Sequence, residues 1–227
     1  MAAERIEAGG ASAWRARGEL HVPNGAEEVP AVVLVHAESA LQSEIDTLAR
    51  LLVDEGIAAL ALERPDSAAE LADRDALKTL ESALEALARD ERLDGARLAV
   101  VGVGSAGTLA FLCGCASRRV AAVVDAGGSL VRGELSERHP IEPLELTLNL
   151  GAPLLALFSA DDPAIPSRQV EQVRLALERA GRTFELEVAR GLGARLLDPT
   201  APGYHAEPAR AARERIVRFL STILQHD

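Results

Sequence analysis

The chain has 227 residues, of which 48% are hydrophobic and 26% are charged, so it can bury a large core and lacks the composition of a disordered protein. Its 35 acidic and 24 basic side chains give a formal net charge of −11, which repels nucleic-acid phosphates and anionic lipid heads. Aromatic residues make up only 3%, too few to stack the bases of a single strand. We therefore expect no nucleic acid and no membrane among the partners.

The length and the cysteine content bound the organisation of the chain and its compartment. A chain of 227 residues fits one α/β domain, and we expect a single domain over residues 1–227. Cys113 and Cys115 lie two positions apart in a predicted helix, where their side chains diverge and cannot form a disulfide bond. The N-terminal residues lack the apolar segment of a secretory signal. These features predict a cytoplasmic protein.

Residues 14–22 and residues 98–117 each have a sequence pattern that predicts a specific structure. Residues 14–22 place small or apolar side chains at every second position, and a Pro-Asn-Gly turn follows, so we predict an antiparallel edge strand there. Residues 98–117 carry no charge and are long enough to span a bilayer. Their four glycines and the change from β-branched to Ala/Leu-rich composition instead favour a buried strand followed by a buried helix.

Strand-like and helix-like segments alternate along the rest of the chain. Apolar runs predict strands at 31–35, 57–62, 98–103, 120–124, 154–158 and 184–188. Apolar residues at helical spacing predict helices through 45–52, 68–91, 170–177 and 216–223, and another directly after residue 107. This alternation predicts the α/β class, with a mostly parallel sheet covered by helices on both faces. Ligands of such sheets bind at the carboxyl ends of the strands, so the loops after residues 35, 103, 124, 158 and 188 are the candidates for a site.

A glycine-rich turn from Gly102 to Gly107 follows the predicted strand at 98–103. Its G-x-G-x-x-G spacing matches the phosphate-binding turn of dinucleotide-binding domains, and Asp125, 18 residues beyond Gly107, could bind a ribose hydroxyl. Such a turn usually opens its domain, whereas here predicted strands and helices precede it. A dinucleotide-binding protein therefore stays an alternative.

Several segments of the chain occur in the order and spacing of a known family. They are 29–36 (VPAVVLVH), 49–58 (ARLLVDEGIA), the turn at 102–107, 152–158 (APLLALF), 162–166 (DPAIP) and 198–204 (DPTAPGY). Together, over residues 15–224, they resemble the dienelactone hydrolase family of α/β-hydrolases. The resemblance implies the α/β-hydrolase fold and a carboxylic ester or lactone hydrolase site built from a nucleophile, a histidine base and an acid.

The resemblance places Gly104 at the nucleophile position, at the tip of the strand-to-helix turn where the family has a cysteine or serine. A glycine has no side chain that can attack a carbonyl group. Ser105 lies one residue later, and the resemblance gives its backbone N–H the role of an oxyanion-hole donor. We expect this donor to be retained and the nucleophile to be lost.

The resemblance also locates the acid and the base. Asp162 in the DPAIP segment matches the acid, with Asp161 beside it as the less favoured candidate. A structural role for Asp162, bonded to backbone N–H groups of its own loop, stays open. Ala194 stands where the family has its histidine, so the base is lost as well. His205 lies further along, at the start of the last predicted helix, where we expect a solvated or capping role.

Three residues that follow the predicted strand at 31–35 are expected to line the pocket. The family carries a glutamate there; Ala37 aligns with it, and a shift of one residue restores Glu38. His36 lies beside them and is interpreted either as a satisfied, half-buried histidine or as a functional one. No metal or cofactor is implied, and the two cysteines lack the spacing of metal ligands.

These departures predict a dienelactone hydrolase-like protein without ordinary ester or lactone turnover, which binds a small molecule or serves as a scaffold. In such enzymes, loss of the nucleophile and the base lowers turnover by about 10⁴- to 10⁶-fold, because these groups act as a unit. An active ester or lactone hydrolase that uses Ser105, helped by His36 or His205, is the main alternative. The residues do not predict the oligomeric state.

Overall fold

The computed structural model describes residues 2–8, 16–63, 71–193 and 195–225, and these contain one eight-stranded sheet. The strands are β1 (Ala2–Ala8), β2 (Ala16–Val22), β3 (Val29–His36), β4 (Ala58–Leu62), β5 (Leu93–Val103), β6 (Val120–Ala126), β7 (Leu154–Ser159) and β8 (Phe184–Ala189). Their order in the sheet is β1-β2-β4-β3-β5-β6-β7-β8. β2 is antiparallel to both β1 and β4, and every other pair is parallel. The predicted mostly parallel sheet is confirmed.

Five α-helices flank the sheet within the described part of the chain. They are α1 (Gln42–Asp54), α2 (Asp73–Ala88), α3 (Gly107–Ala116), α4 (Ser167–Arg179) and α5 (Ala206–Leu224). Apolar side chains of α1 and α5 share one core cluster, and those of α2, α3 and α4 share the other. The prediction of helices on both faces of the sheet is therefore confirmed.

The continuous apolar sequence of the central strands follows from burial on both sides. In β3, Val33 and Val35 belong to the core cluster that contains α2, α3 and α4, whereas Val32 and Leu34 belong to the cluster that contains α1 and α5. Successive side chains of a strand point to opposite faces, so a strand covered on both faces needs apolar residues throughout. β2 instead alternates buried and exposed residues, as its sequence predicts.

The prediction of an edge strand at 14–22 is wrong in one respect. β2 spans Ala16–Val22, and it lies between β1 and β4 rather than at the edge of the sheet. Residues 14 and 15 lie outside the described residues. The edge is formed by β1, whose sequence AAERIEA contains Ile6 as its one large apolar residue. Hydrophobic periodicity therefore gives no strand signal in that segment.

Two further predictions concern helices. The helix predicted at 68–91 is α2, which begins at Asp73 and ends at Ala88, with residues 64–70 outside the described part. The uncharged segment 98–117 forms the end of β5 and then α3, as predicted. None of the described helices is long and apolar enough to cross a membrane.

Cys113 and Cys115 both lie in α3 as free thiols, and burial raises the pKa of each to about 12.

Candidate active-site pocket

The carboxyl ends of the parallel strands meet at one edge of the sheet, where the following loops surround a cavity of about 430 Å³. The cavity wall contains the predicted pocket residues His36, Ala37, Glu38, Gly104, Ser105 and Asp162. It also contains Leu71, Asp73, Thr108, Leu109, Gly127, Ser129, Arg132, His139, Ala164, Ile165, Arg195 and Leu196. The structure thus brings the predicted residues together at the predicted end of the sheet.

The turn between β5 and α3 is sharp and has glycine at its tip. β5 ends at Val103, and a single 3-10 turn, Gly104–Ala106, leads into α3. Gly104 has a φ of +65°, a left-handed conformation that costs a residue with a side chain roughly 1–2 kcal/mol. The residue at the tip of this turn, which the sequence predicted as the nucleophile position, has no reactive group.

The carboxylate of Glu38 fills the space that a nucleophilic side chain would use. A Cβ built on Gly104 would lie 2.6 Å from Glu38 Oε2 and 2.7 Å from Leu41 Cδ1. The other oxygen of the same carboxylate, Oε1, accepts the backbone N–H of Ser105 at 3.0 Å. The predicted oxyanion-hole donor is thus bound by the protein itself. Glu38 Oε2 is buried and has no hydrogen-bond partner among the described residues.

His36 ends β3 and is buried, with 1% of its surface exposed. Its Nδ1 lies 2.9 Å from the carbonyl oxygen of Glu38. Because a carbonyl oxygen only accepts hydrogen bonds, Nδ1 carries a proton, and in the neutral ring Nε2 is then an acceptor. This Nε2 is buried and has no hydrogen-bond partner within the described residues. His36 is thus buried rather than half-buried, and one of its two ring nitrogens is hydrogen-bonded.

Two neighbouring aspartates follow β7, and each bonds a different loop. Asp162 Oδ1 accepts the N–H of Ala164 at 2.8 Å, the loop-fixing bond expected for a structural role. Burial raises the pKa of Asp162, although this bond and the charge of Arg195 oppose the increase. Asp161 Oδ2 accepts the N–H of Gly191 at 2.8 Å. Asp161, the less favoured candidate for the acid, is therefore the aspartate that contacts the loop after β8.

The loop after β8 contains the predicted position of the base. Ala194 at that position lies outside the described residues. Beside it, Arg195 donates from Nε to Asp198 Oδ2 at 2.7 Å, so the guanidinium in the cavity wall is paired with a carboxylate. His205 is exposed at the N-terminal boundary of α5 and makes no capping hydrogen bond with its side chain. It is the solvated residue that the sequence predicted.

The outer glycines of the G-x-G-x-x-G turn are required by packing against the protein itself. A Cβ on Gly102 would lie 2.1 Å from the carbonyl oxygen of Ala106, and one on Gly107 would lie 1.9 Å from Asp125 Oδ1. Asp125 is fully buried and accepts the N–H of Gly128 at 2.6 Å, so it is not available to a ribose hydroxyl. Burial raises the pKa of Asp125 to about 8. The two glycines and the aspartate that indicated a dinucleotide site are therefore explained by packing and hydrogen bonding inside the protein.

Replacing Gly107 by Ala is expected to destabilise the protein. The new Cβ would overlap the Asp125 carboxylate, and overpacking of this kind costs about 1–3 kcal/mol. Urea unfolding of Gly107→Ala should therefore show a lower free energy of unfolding than the wild type. Gly133→Ala is the matched control, because nothing lies within 4 Å of a Cβ at Gly133. Equal losses in the two variants would contradict the packing argument.

Among the residues of the cavity wall that were not predicted from the sequence are Asp73, Arg132 and His139, which contact one another. His139 lies in the segment after β6, one of the loops named as candidates for a site, and a histidine in such a loop is a signal that sequence reasoning could have used. Asp73 and Arg132 are 59 positions apart, and nothing in the sequence pairs them. Their contact is a product of the tertiary fold.

The strand order and the helices on both faces of the sheet define the α/β-hydrolase fold. A solved structure described as "Putative Dienelactone Hydrolase" from Klebsiella pneumoniae superposes with a TM-score of 0.81 at 24% identity, covering 97% of this chain and 99% of that one. A dienelactone hydrolase from Anabaena variabilis superposes with a TM-score of 0.74 at 16% identity, covering 98% of each chain. At these identities, the two structures establish the shared fold.

The chain belongs to the dienelactone hydrolase family, whose model matches residues 17–224. A relative from Salmonella typhi, described as "Putative carboxymethylenebutenolidase", is 27% identical over 209 residues. That alignment covers 85% of this chain and 77% of the relative. The resemblance found in the sequence is therefore confirmed at the level of the family.

Proposed function

We propose that this member of the dienelactone hydrolase family binds a small molecule in its pocket and does not hydrolyse esters or lactones by the family's covalent route. The observation that carries the proposal is the position of Glu38. Its carboxylate lies where the side chain of a nucleophile at position 104 would begin, and it accepts the N–H of Ser105. An acyl oxygen would have to displace this carboxylate to reach the donor.

The loss of two catalytic positions supports the same proposal. Covalent ester hydrolysis needs a nucleophile and a base within hydrogen-bond reach of each other. Gly104 offers no nucleophile, and alanine stands at the position of the base, residue 194. Removing such groups leaves only binding and the oxyanion hole, which lowers turnover by about 10⁴- to 10⁶-fold. Here the one predicted donor of that hole, the N–H of Ser105, is also bound by Glu38.

The remaining cavity has the properties of a ligand site. Its volume of about 430 Å³ lies within the range of small-molecule pockets, which is roughly 300–1,000 Å³. Leu71, Leu109, Ile165 and Leu196 give it an apolar surface. A small number of polar groups stand among them, which is the composition that binds and orients a small molecule.

The absence of turnover is tested with two substrates, 4-nitrophenyl acetate and an unsaturated γ-lactone. We expect the wild type to hydrolyse neither above the rate of an equal concentration of an unrelated protein. Ser105→Ala should leave that background unchanged, as should the control Ser43→Ala, which alters an exposed serine of α1. Turnover that disappears in Ser105→Ala and persists in Ser43→Ala would establish an active hydrolase and refute the proposal.

Ligand binding is tested by NMR on methyl-labelled protein, with 4-nitrophenol as the probe. The methyl signals of Leu109 and Ile165, in the cavity wall, should shift in a saturable way. Those of Leu175, which is exposed on α4 outside the wall, should not shift. The absence of any shift at millimolar probe would contradict the binding half of the proposal.

A further inference from the structure

Asp73, Arg132 and His139 form a hydrogen-bonded cluster in the wall of the cavity. Asp73 Oδ2 accepts Arg132 Nη1 at 2.6 Å, and Asp73 Oδ1 accepts Arg132 Nη2 at 2.8 Å. The same Oδ1 lies 2.9 Å from His139 Nδ1. The Asp73 side chain is only 3% exposed, so the imidazole is held by a buried carboxylate. None of these contacts involves Gly104 or the loop after β8.

The charge of Asp73 fixes which ring nitrogen of His139 carries the proton. Burial raises the pKa of Asp73, but the hydrogen bonds and the charges of Arg132 and His139 together outweigh burial and hold that pKa below its usual value. An ionised carboxylate only accepts hydrogen bonds, so His139 Nδ1 must be the N–H donor. In the neutral ring, Nε2 is then a free lone pair. A buried carboxylate orients the histidine of serine hydrolases in the same way.

The backbone holds His139 in the cavity wall. His139 and Ser136 exchange two backbone hydrogen bonds, each of 3.1 Å, which close a tight turn. Arg132 donates from its backbone N–H to the carboxylate of Glu142, which fixes the other end of this segment. The His139 side chain is 36% exposed and lines the cavity. Within the described residues, Nε2 has no hydrogen-bond partner, so none of these residues competes with a ligand for it.

The other charged groups of the wall restrict the ligand that His139 would meet. The guanidinium of Arg132 is engaged by Asp73 and by the carbonyl oxygen of Ile141. Arg195 is paired with Asp198. Both guanidinium groups are thus already bound to carboxylates, which weakens their attraction for a carboxylate ligand, whereas an acceptor at Nε2 favours a neutral hydrogen-bond donor.

We propose that His139 is a proton acceptor in this pocket, positioned by Asp73, and that the ligand is a neutral small molecule with an acidic hydroxyl group. The inference rests on the proposed function, because it needs the pocket to bind a ligand. In the step that follows binding, the O–H bond of the ligand breaks and its proton forms an N–H bond at Nε2. The ligand keeps the electron pair as an oxyanion, and the resulting imidazolium is stabilised by the Asp73 carboxylate.

The first test needs no ligand. Long-range ¹⁵N NMR of the imidazole rings distinguishes protonated from unprotonated nitrogens, and neutral His139 should carry its proton on Nδ1. In Asp73→Asn, the amide N–H₂ group faces either Arg132 or His139, and both of these are hydrogen-bond donors. The tautomer of His139 with its proton on Nδ1 should therefore lose population. A wild-type His139 with its proton on Nε2 would overturn the proposal without any variant.

The second test measures proton transfer with 4-nitrophenol, whose phenolate form absorbs visible light. At a pH where the free probe is mostly protonated, binding to the wild type should increase the phenolate band. His139→Gln should still bind the probe, which the methyl signals of Leu109 would show. Its phenolate band should stay at the level of the free probe. The exposed control His205→Gln should behave like the wild type.

The outcomes separate the two proposals. An equal phenolate band in wild type and His139→Gln, with binding intact in both, would refute the role of His139 and leave the ligand pocket standing. No methyl shift in any protein would refute the pocket and, with it, this inference. A band lost in His139→Gln and retained in His205→Gln would support both.

Discussion

Combining Gly104→Ser, Ala194→His and Glu38→Ala is expected to raise the hydrolysis of 4-nitrophenyl acetate at least about 100-fold above the wild type, a small part of the 10⁴- to 10⁶-fold that the complete set of groups provides. The first two changes return a nucleophile and a base. The third removes the carboxylate that lies 2.6 Å from the site of the new Cβ and releases the N–H of Ser105 for an acyl oxygen. Steady-state rates of the purified variants measure the effect.

The double variant Gly104→Ser with Ala194→His is the matched comparison. With Glu38 present, the new side chain meets its carboxylate, and we expect the double variant to be slower than the triple variant. Glu38→Ala alone should stay at background, because it frees the donor without adding a nucleophile. A triple variant that keeps its circular dichroism spectrum and melting temperature but stays inactive would show that Asp162 and the cavity no longer support the family's chemistry.

Asp125→Asn is expected to stabilise the protein increasingly as the pH rises from about 5 to about 8. Burial raises the pKa of Asp125 to about 8, far above that of a carboxyl group in the unfolded chain. Between the two pKa values the folded state binds one more proton than the unfolded state, so this carboxyl group makes wild-type stability fall with pH. The slope is about 1.4 kcal/mol per pH unit and vanishes above the folded pKa. Asparagine does not titrate, so the variant lacks this slope.

Urea unfolding at several pH values measures the difference between the two proteins. The comparison isolates one group, because the asparagine side chain oxygen can still accept the N–H of Gly128, as Asp125 does at 2.6 Å. Asp54→Asn, at an exposed carboxyl group in the last turn of α1, is the control and should run parallel to the wild type. Parallel curves for Asp125→Asn would mean that Asp125 is ionised in the folded protein.

The sequence carried most of the information about the fold, because hydrophobic periodicity reflects burial directly. The uninterrupted apolar run of β3 and the alternating pattern of β2 both indicate how many faces of the strand are covered. β1 escaped prediction because a strand at the edge of a sheet needs few apolar residues. Ile6 is the one large apolar residue of β1, and a single residue cannot show a periodic pattern.

The site was predictable only where local motifs define it. The turn motif predicts Gly104 at the tip of the strand-to-helix turn, and the structure has it there in a left-handed conformation. Glu38 lies 67 residues from Ser105, and a one-residue ambiguity in the loop after β3 hid its contact with that N–H. The pairing of His139 with Asp73 spans 66 residues and depends on an irregular segment after β6. Such contacts follow from how distant loops fold together, which a single sequence does not encode in any local pattern.

The bond from Glu38 to the N–H of Ser105 also sets how the pocket treats negatively charged compounds. Because this competitor is tethered to the same chain, its effective concentration stays the same when the protein is diluted. An incoming anion must win that intramolecular competition, so its measured affinity understates the strength of its own contact with the donor. A compound library made only of acids that bind this donor would therefore underestimate the capacity of the pocket, whereas compounds that make no contact with the Ser105 N–H leave the tethered carboxylate undisturbed.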